Sequence, residues 1–296
     1  MKTVNVLGDL NLDIILSGIG SYPSLGREIL AQNRVLKAGG SAANVAMMLA
    51  VNDVPVRFFC RVGKDFAGEF VVKILEEYGV NTDTVCFSEY ETTGVTVSLA
   101  YPDDRMYVTF PGTVSSTKPE ELKGTYIREG EHLHLASYFL QEGLAPYMGV
   151  MLKDAKKAGM STSLDPGGDP SGKWDVKGLQ PYFQYIDWFF PNSDELLGFT
   201  KAESLEDALK FFPGEVTGII VKAGDQGAFT RYHGKTRHFP AVPVEVIDTT
   251  CAGDCFDAGF LYGISSGASF SDAVNLGNRF GAHAVSTIGL PFHRIK

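Results

Sequence analysis

At 296 residues and 32.1 kDa the chain has room for one large α/β domain or two small ones. Its 44% hydrophobic and 21% charged content suits an ordinary globule, and no apolar run approaches the ~18 residues that span a bilayer. A net charge of −9 argues against a nucleic-acid or anionic-membrane surface, though not against a nucleotide, whose phosphates backbone amides can hold.

The start, Met1-Lys2-Thr3-Val4-Asn5-Val6-Leu7-Gly8, turns polar too soon for a signal peptide and reads as a first strand. Residues 12–16 and 33–36 look extended, 41–49 helical and 56–60 a strand. A helix over 66–78 ends at Gly79, a glycine placed to close it. Residues 94–100 and 105–110 are β-branched and aromatic arms around Tyr101-Pro102-Asp103-Asp104, a hairpin signal. From His132 the rhythm becomes strand, helix, strand: 132–135, 161–164, 187–190 and 217–221 are strands, separated by helical patterns at 144–157, 194–197 and 205–211. That alternation predicts a mostly parallel sheet with helices on both faces. The segments at 12–16, 33–36 and 93–110 break the rhythm and are expected to form a small separate sheet, a lid inserted into a single domain spanning 1–296.

Cys60, Cys86, Cys251 and Cys255 suggest no disulfide framework in a chain this long, and the Cys251/Cys255 spacing lacks the partners of a zinc set. A reduced, cytoplasmic protein is expected. His132 and His134 alternate on a strand and read as core or surface histidines rather than metal ligands.

The most informative segment is Asp248-Thr249-Thr250-Cys251-Ala252-Gly253-Asp254. Asp254 falls where an apolar helical pattern begins, with Phe256, Gly259, Phe260 and Gly263 at i, i+3, i+4 and i+7. The first amides of a helix are unpaired and carry the positive end of its dipole, so they suit an anion. A carboxylate in the same turn can take a proton beside that anion; an ordinary acid near a helix cap is the plainer reading. Asp9 and Asp13 follow the first strand, where open α/β sheets bind ligands, or where a turn is capped. In Ala38-Gly39-Gly40-Ser41-Ala42-Ala43-Asn44 the paired glycines let the backbone approach a ligand, and Asn44 presents both donor and acceptor. Asn192 and Glu195 are spaced to share one helical face, or to open a helix with an acidic first turn. Lys222-Ala223-Gly224-Asp225-Gln226-Gly227 reads as a hairpin turn. Neither Gly-x-x-x-x-Gly-Lys-[Ser/Thr] nor Gly-x-Gly-x-x-Gly occurs, which argues against a P-loop and against a nicotinamide-dependent oxidoreductase.

Together these segments resemble the PfkB, or ribokinase-like, carbohydrate kinases. The 248–254 segment is similar to that family's Asp-Thr-x-Gly-Ala-Gly-Asp, with Cys251 replacing the first glycine. Gly39-Gly40 with Asn44 is similar to Gly-Gly-x-x-x-Asn-x-Ala; Arg61-Val62-Gly63-Lys64-Asp65-Phe66-Ala67-Gly68 matches Val-Gly-x-Asp-x-x-Gly. In that last match Asp65 is expected to cap a helix and Gly63 to sit in a turn. Asn192/Glu195 matches Asn-x-x-Glu, Gly224/Gly227 a Gly-x-x-Gly turn, and residues 278–289 the helix and loop flanking adenine.

The resemblance implies a three-layer αβα fold with a small β lid, and ATP-dependent phosphorylation of a hydroxyl. It makes Asp254 the general base and the amides of Ala252, Gly253 and Asp254 an anion hole edged by Cys251. Asp13, Gly39, Gly40 and Asn44 are assigned to the acceptor, and Asn192, Lys222, Gly224, Gly227 and Asn278 to the nucleotide. Asn192 and Glu195 are expected to order Mg²⁺ through water, Asp248 to border an optional K⁺, and lid sheets to pair two subunits. Cys251 is expected to keep negative φ and narrow the pocket slightly.

Relatives acting on sugar acids carry an arginine near Asp169 and another in the lid, and those acting on sugar phosphates a lysine at Ser41; their absence leaves a neutral sugar, polyol or nucleoside. Tyr101, Tyr107 and Phe110 are candidates for an apolar wall or for hairpin packing. The alternatives are a nucleoside kinase, a 2-keto-3-deoxygluconate-type sugar-acid kinase, and a non-catalytic sugar- or nucleotide-binding regulator.

Overall fold

The first apolar run, β1 (Val4–Leu7), is buried along its whole length, as a strand covered on both faces must be. The computed structural model describes residues 1–101, 105–212, 216–287 and 293–295, so the hairpin tip at 102–104 and residues 288–289 of the C-terminal segment lie outside it. Next along the chain come β2 (Asn11–Ser17), β3 (Asn33–Gly39), α1 (Ser41–Val51), β4 (Val56–Phe59), β5 (Arg61–Gly63), α2 (Phe66–Glu77) and β6 (Cys86–Ser88). β7 (Gly94–Ala100), β8 (Arg105–Phe110) and a single turn, α3 (Thr113–Ser116), precede β9 (His132–Ala136), α4 (Ala145–Lys157) and β10 (Ser161–Asp165). Then follow β11 (Trp188–Phe189), α5 (Ser193–Thr200), α6 (Leu205–Phe211), β12 (Gly218–Lys222), β13 (Ala228–Tyr232), β14 (Lys235–Phe239), α7 (Ala252–Ser265) and α8 (Phe270–Val285).

The large sheet runs β14-β13-β12-β11-β10-β9-β1-β4. From β4 to β12 every neighbouring pair is parallel; β13 and β14 add an antiparallel edge. No strand is foreseen at β13 or β14, because the outermost strand is mostly exposed and polar and carries no apolar pattern. Strand residues alternate between two cores. One collects Val4, Val6 and Ile220 with α1, α2, α7 and α8; the other collects Leu7, Leu133, Leu164 and Val221 with α4, α5 and α6. This is the expected three-layer arrangement. His132 and His134 lie inside it, bonded to the hydroxyls of Ser161 and Ser163, and burial pushes both imidazoles down into the neutral form.

The small sheet runs β3-β2-β7-β8. Its central pair, β2 and β7, is parallel, so it is not a set of consecutive hairpins. Gly63 departs from expectation. It lies in β5, paired to β6, where a Cβ would approach the Glu91 carbonyl within 2.6 Å. Asp65 caps α2 as foreseen, accepting from Gly68 N at 2.8 Å.

Candidate active site

Five consecutive parallel strands deliver polar residues at their carboxyl ends: Asp9 after β1, Ser137 after β9, Asp165 at the end of β10, Asn192 after β11 and Lys222 at the end of β12. With Ser41, Glu195, Gly253 and Asp254 they line a cavity of about 470 Å³. The chain leaves β1 toward β4 on one side and returns to β9 on the other, the kind of switch point where open α/β sheets bind ligands.

α7 aims its first turn into this cavity. Asp254 accepts from Ser41 Oγ and from Asn44 Nδ2, each at 2.7 Å, so α1 holds both oxygens of the carboxyl. Burial, then the charge of Asp165, push its pKa up to about 6 against the opposing hydrogen bonds. Cys251 does not keep negative φ: it precedes α7 at φ 61° and ψ 8°, in the left-handed region. It is the third residue of the turn that Ala252 N closes on the Thr249 carbonyl at 3.3 Å, a position where positive φ is common.

α1 is itself seated by a carboxylate. Asp9 accepts from Ser41 N at 3.1 Å and from Ala42 N at 3.0 Å, filling amides that a helix start leaves unpaired. Gly40 at φ 107° brings the backbone against Asp9, where a Cβ would come within 2.5 Å of its carbonyl oxygen. A Cβ on Gly39 would overlap the Asp13 carboxylate, so that glycine exists to let Asp13 in. Asn11 Nδ2 donates to Asp13 Oδ1 at 2.6 Å and to Thr96 Oγ1 at 3.2 Å. Burial pushes Asp13 up to about 6, with Lys37 opposing. Cross-strand register sets Lys37, Asp13, Thr96 and Thr109 side by side across the small sheet. Farther along that face Arg105 Nη2 donates to Asp248 Oδ1 at 2.5 Å, so the face is turned toward the segment that opens α7. Tyr107 shares it. Phe110, one residue out of phase, points the other way and cannot wall the same cleft.

Lys222 is buried between two carboxylates, 2.8 Å from Asp165 and 3.2 Å from Asp257. Burial alone would lower the lysine; Asp165, Asp257 and Glu195 outweigh it and keep it an ammonium. Burial would likewise raise Asp165, but Lys222 holds it below the usual range, whereas burial leaves Asp257 raised and protonated. The ammonium lies beneath the helix start, 3.4 Å from where a Gly253 Cβ would be. Asn192 is the residue before α5 rather than part of its face. Its Oδ1 accepts from Glu195 N and Glu195 Oε2 accepts from Asn192 N, both at 2.8 Å, a reciprocal cap. One Glu195 oxygen is left over. So sparse a donor set fits a largely hydrated divalent ion. Asp248 Oδ1 also accepts from Thr250 N at 2.8 Å, and its carboxyl is held low although burial alone would raise it.

A second cavity of about 500 Å³ opens on the other side of Lys222 and Gly253. Gly224 and Gly227 form its rim, and Val242, Val244, Val246, Phe256, Ala282 and Val285 its apolar walls. Asn278 lines it, but its Nδ2 donates to the carbonyls of Phe239 and Pro240 at 3.2 and 3.1 Å, which fixes the wall more than it offers a donor. The valines at 242, 244 and 246 are missed by the sequence reading; three half-exposed valines at alternate positions without strand partners were the available signal. Ser41, Asp165 and Asp257 are missed as well, each lacking any local pattern.

The chain matches the family model described as pfkB family carbohydrate kinase over residues 1–292. It is 26% identical to the ribokinase of Lactococcus lactis over 93% of this chain and 88% of that protein. It is 29% identical to the ATP-dependent ribose-1-phosphate kinase of Halopiger xanaduensis, over 95% and 91%. The crystal structure of ribokinase from Thermotoga maritima superposes with a TM-score of 0.84 at 26% identity, covering 98% of this chain and 95% of that one. The cavities at the strand ends, the helix start between them and these matches lead to one conclusion: the chain belongs to the pfkB family of carbohydrate kinases, and is a phosphotransferase with an alcohol group as acceptor.

Proposed function

We propose that this protein transfers a phosphoryl group from ATP to a hydroxyl of a small neutral sugar or related polyol, in the cytoplasm. The observation that carries the reading is the placement of Asp254. It is a buried carboxyl held by Ser41 and Asn44 in the first turn of α7, with one cavity on each side of that turn. The apolar cavity takes the base, Asn278 and the Gly224–Gln226 turn shape its rim, and the phosphates reach the amides of Ala252, Gly253 and Asp254. Those amides meet developing charge on the transferred oxygens, supplemented by the Lys222 ammonium. The acceptor lies between Asp13 on the small sheet and Asp254, which takes the hydroxyl proton as the bond to phosphorus forms. The small sheet acts as a lid that excludes water. Asn192 and Glu195 would hold Mg²⁺ through its waters, and the ion when bound offsets nucleotide charge. An optional K⁺ has only the second oxygen of Asp248 to use, since Arg105 and Thr250 take the first.

Asp254→Asn tests the reading. Turnover should fall by about 10²–10⁴ while acceptor and nucleotide still bind; near-wild-type turnover refutes the base. In the wild type kcat/KM should drop about tenfold per pH unit below about 6, following the Asp254 carboxyl. The stability sign is opposite. A carboxyl raised above its ordinary value favours the native state below its unfolded pKa, and that contribution is lost as the pH rises through about 6. Asp254→Asn should therefore melt higher than wild type at pH 7.5 and lose this advantage at pH 4, by differential scanning calorimetry.

A further inference from the structure

Lys37 has no part in the chemistry above, yet it is the buried cation nearest the acceptor side. β3 runs from exposed Asn33, Arg34 and Val35 into the protein, and Lys37 is 3% exposed. Among the described residues its ammonium has neither a hydrogen-bond acceptor nor a carboxylate within 4.0 Å. The ammonium is not sealed off: it keeps a small exposed surface, so water is its hydrogen-bond partner until a ligand hydroxyl replaces it. Register places it beside Asp13, on the face whose Arg105 reaches Asp248. Its charge opposes the rise that burial imposes on both the Asp13 carboxyl and the Cys251 thiol.

An acceptor atom is also left over on this side: Asn44 gives its Nδ2 to Asp254, while its buried Oδ1 has no partner. An ammonium and an amide oxygen, neither with a partner in the protein, are complementary to neighbouring hydroxyls that accept from one and donate to the other. An anion is disfavoured: Arg105 is engaged with Asp248 and Lys222 with Asp165 and Asp257, and the Asp13 carboxyl stands across the strand pair from Lys37.

We propose that Lys37 is a specificity-determining residue of the acceptor subsite. Its ammonium donates to a hydroxyl oxygen of a neutral polyhydroxylated acceptor whose adjacent hydroxyl is taken by Asp13. This rests on the kinase reading above and assigns a residue to its preference for uncharged acceptors over sugar acids and sugar phosphates.

The experiment uses the full chain as wild type, Lys37→Gln and Lys37→Met. ADP formation and thermal melting are measured with a panel of neutral pentoses, hexoses and nucleosides, sugar acids and sugar phosphates. The wild type should phosphorylate neutral members, and Lys37→Gln should raise the acceptor KM at least tenfold with the KM for ATP within twofold. Without sugar, Lys37→Met should melt close to wild type, because no protein partner of the ammonium is lost, and the sugar-induced rise in Tm should disappear. An acceptor KM that does not move in Lys37→Gln overturns the proposal. So does an apo Lys37→Met that melts lower with its sugar response intact, the mark of a merely structural lysine. A wild-type preference for acids or phosphates that Lys37→Gln abolishes overturns it too, by showing the ammonium pairs an anion. If no member of the panel stimulates ADP formation by the wild type, the kinase reading falls with it; normal wild-type turnover beside an unmoved Lys37→Gln removes this proposal alone.

Discussion

Cys251 holds φ 61°, a conformation that costs an L side chain roughly 1–2 kcal/mol. Glycine would relieve that cost and add about 0.5–1 kcal/mol of chain entropy to the unfolded state. Cys251→Gly should therefore lie between neutral and about 1 kcal/mol more stable in chemical denaturation. Cys251→Val, β-branched at positive φ, should lose about 1–3 kcal/mol; equal stabilities for the two would show the strain is absent. That the residue is irregular is legible in the sequence, but its backbone sign is not, because the turn leading into α7 sets φ. The same divide separates other positions. Asp254, Asn44 and Asp13 announce themselves by spacing from glycines and helix starts. Lys37, Asp165 and Asp257 do not: a single charge within an apolar stretch looks the same whether it faces water or a cleft, and only register and packing decide.

At the scale of elements, the anion hole depends on how closely α7 lies on α8. The apolar spacing of Phe256, Gly259, Phe260 and Gly263 announces a buried helical face, and the structure shows why two of those positions are glycine. A Cβ on Gly259 would sit 2.7 Å from the Leu276 carbonyl oxygen and 2.7 Å from the Phe280 side chain; one on Gly263 would meet the Ala273 backbone at 3.0 Å. From α8, Gly277 leaves room for the Phe256 ring, 2.9 Å from where its Cβ would be. Gly259→Ala gains about 1 kcal/mol of helix propensity, yet the overlap is with backbone and should dominate. A net loss of about 1–3 kcal/mol is expected in urea denaturation, with a weaker nucleotide affinity because Phe256 and Ala282 wall the apolar cavity. A stabilised variant would mean the helices can part without cost. Element type was readable wherever a run was apolar and periodic; the β13–β14 edge and the valine loop after it were not, since half-exposed strands mix polar and apolar residues without a face.

At the scale of the molecule, strand–helix alternation made the parallel sheet and its switch point legible, and its interruptions marked the small sheet. The parallel β2–β7 centre of that sheet was hidden because partners as far apart in the chain as Asn11 and Gly94 leave no local trace. Its outer face carries Met106, Val108 and Phe110 at alternate positions of β8, exposed by 41%, 63% and 56%, beside an unpaired edge. The pairing of lid sheets implied by the family resemblance would bury this face. Sedimentation velocity should give a dimer at micromolar concentration and a monomer for Val108→Glu; a monomeric wild type would refute the pairing. The inner face has a different consequence. The Arg105–Asp248 contact joins the small sheet to the loop before α7, and its two partners are 26% and 22% exposed, within reach of dissolved ions. Swinging the sheet outward separates opposite charges, so the ease of opening becomes a function of ionic strength. With a screening length of ~10 Å at 0.1 M and ~3 Å at 1 M, concentrated salt loosens this clasp while leaving the apolar base of the sheet unaffected.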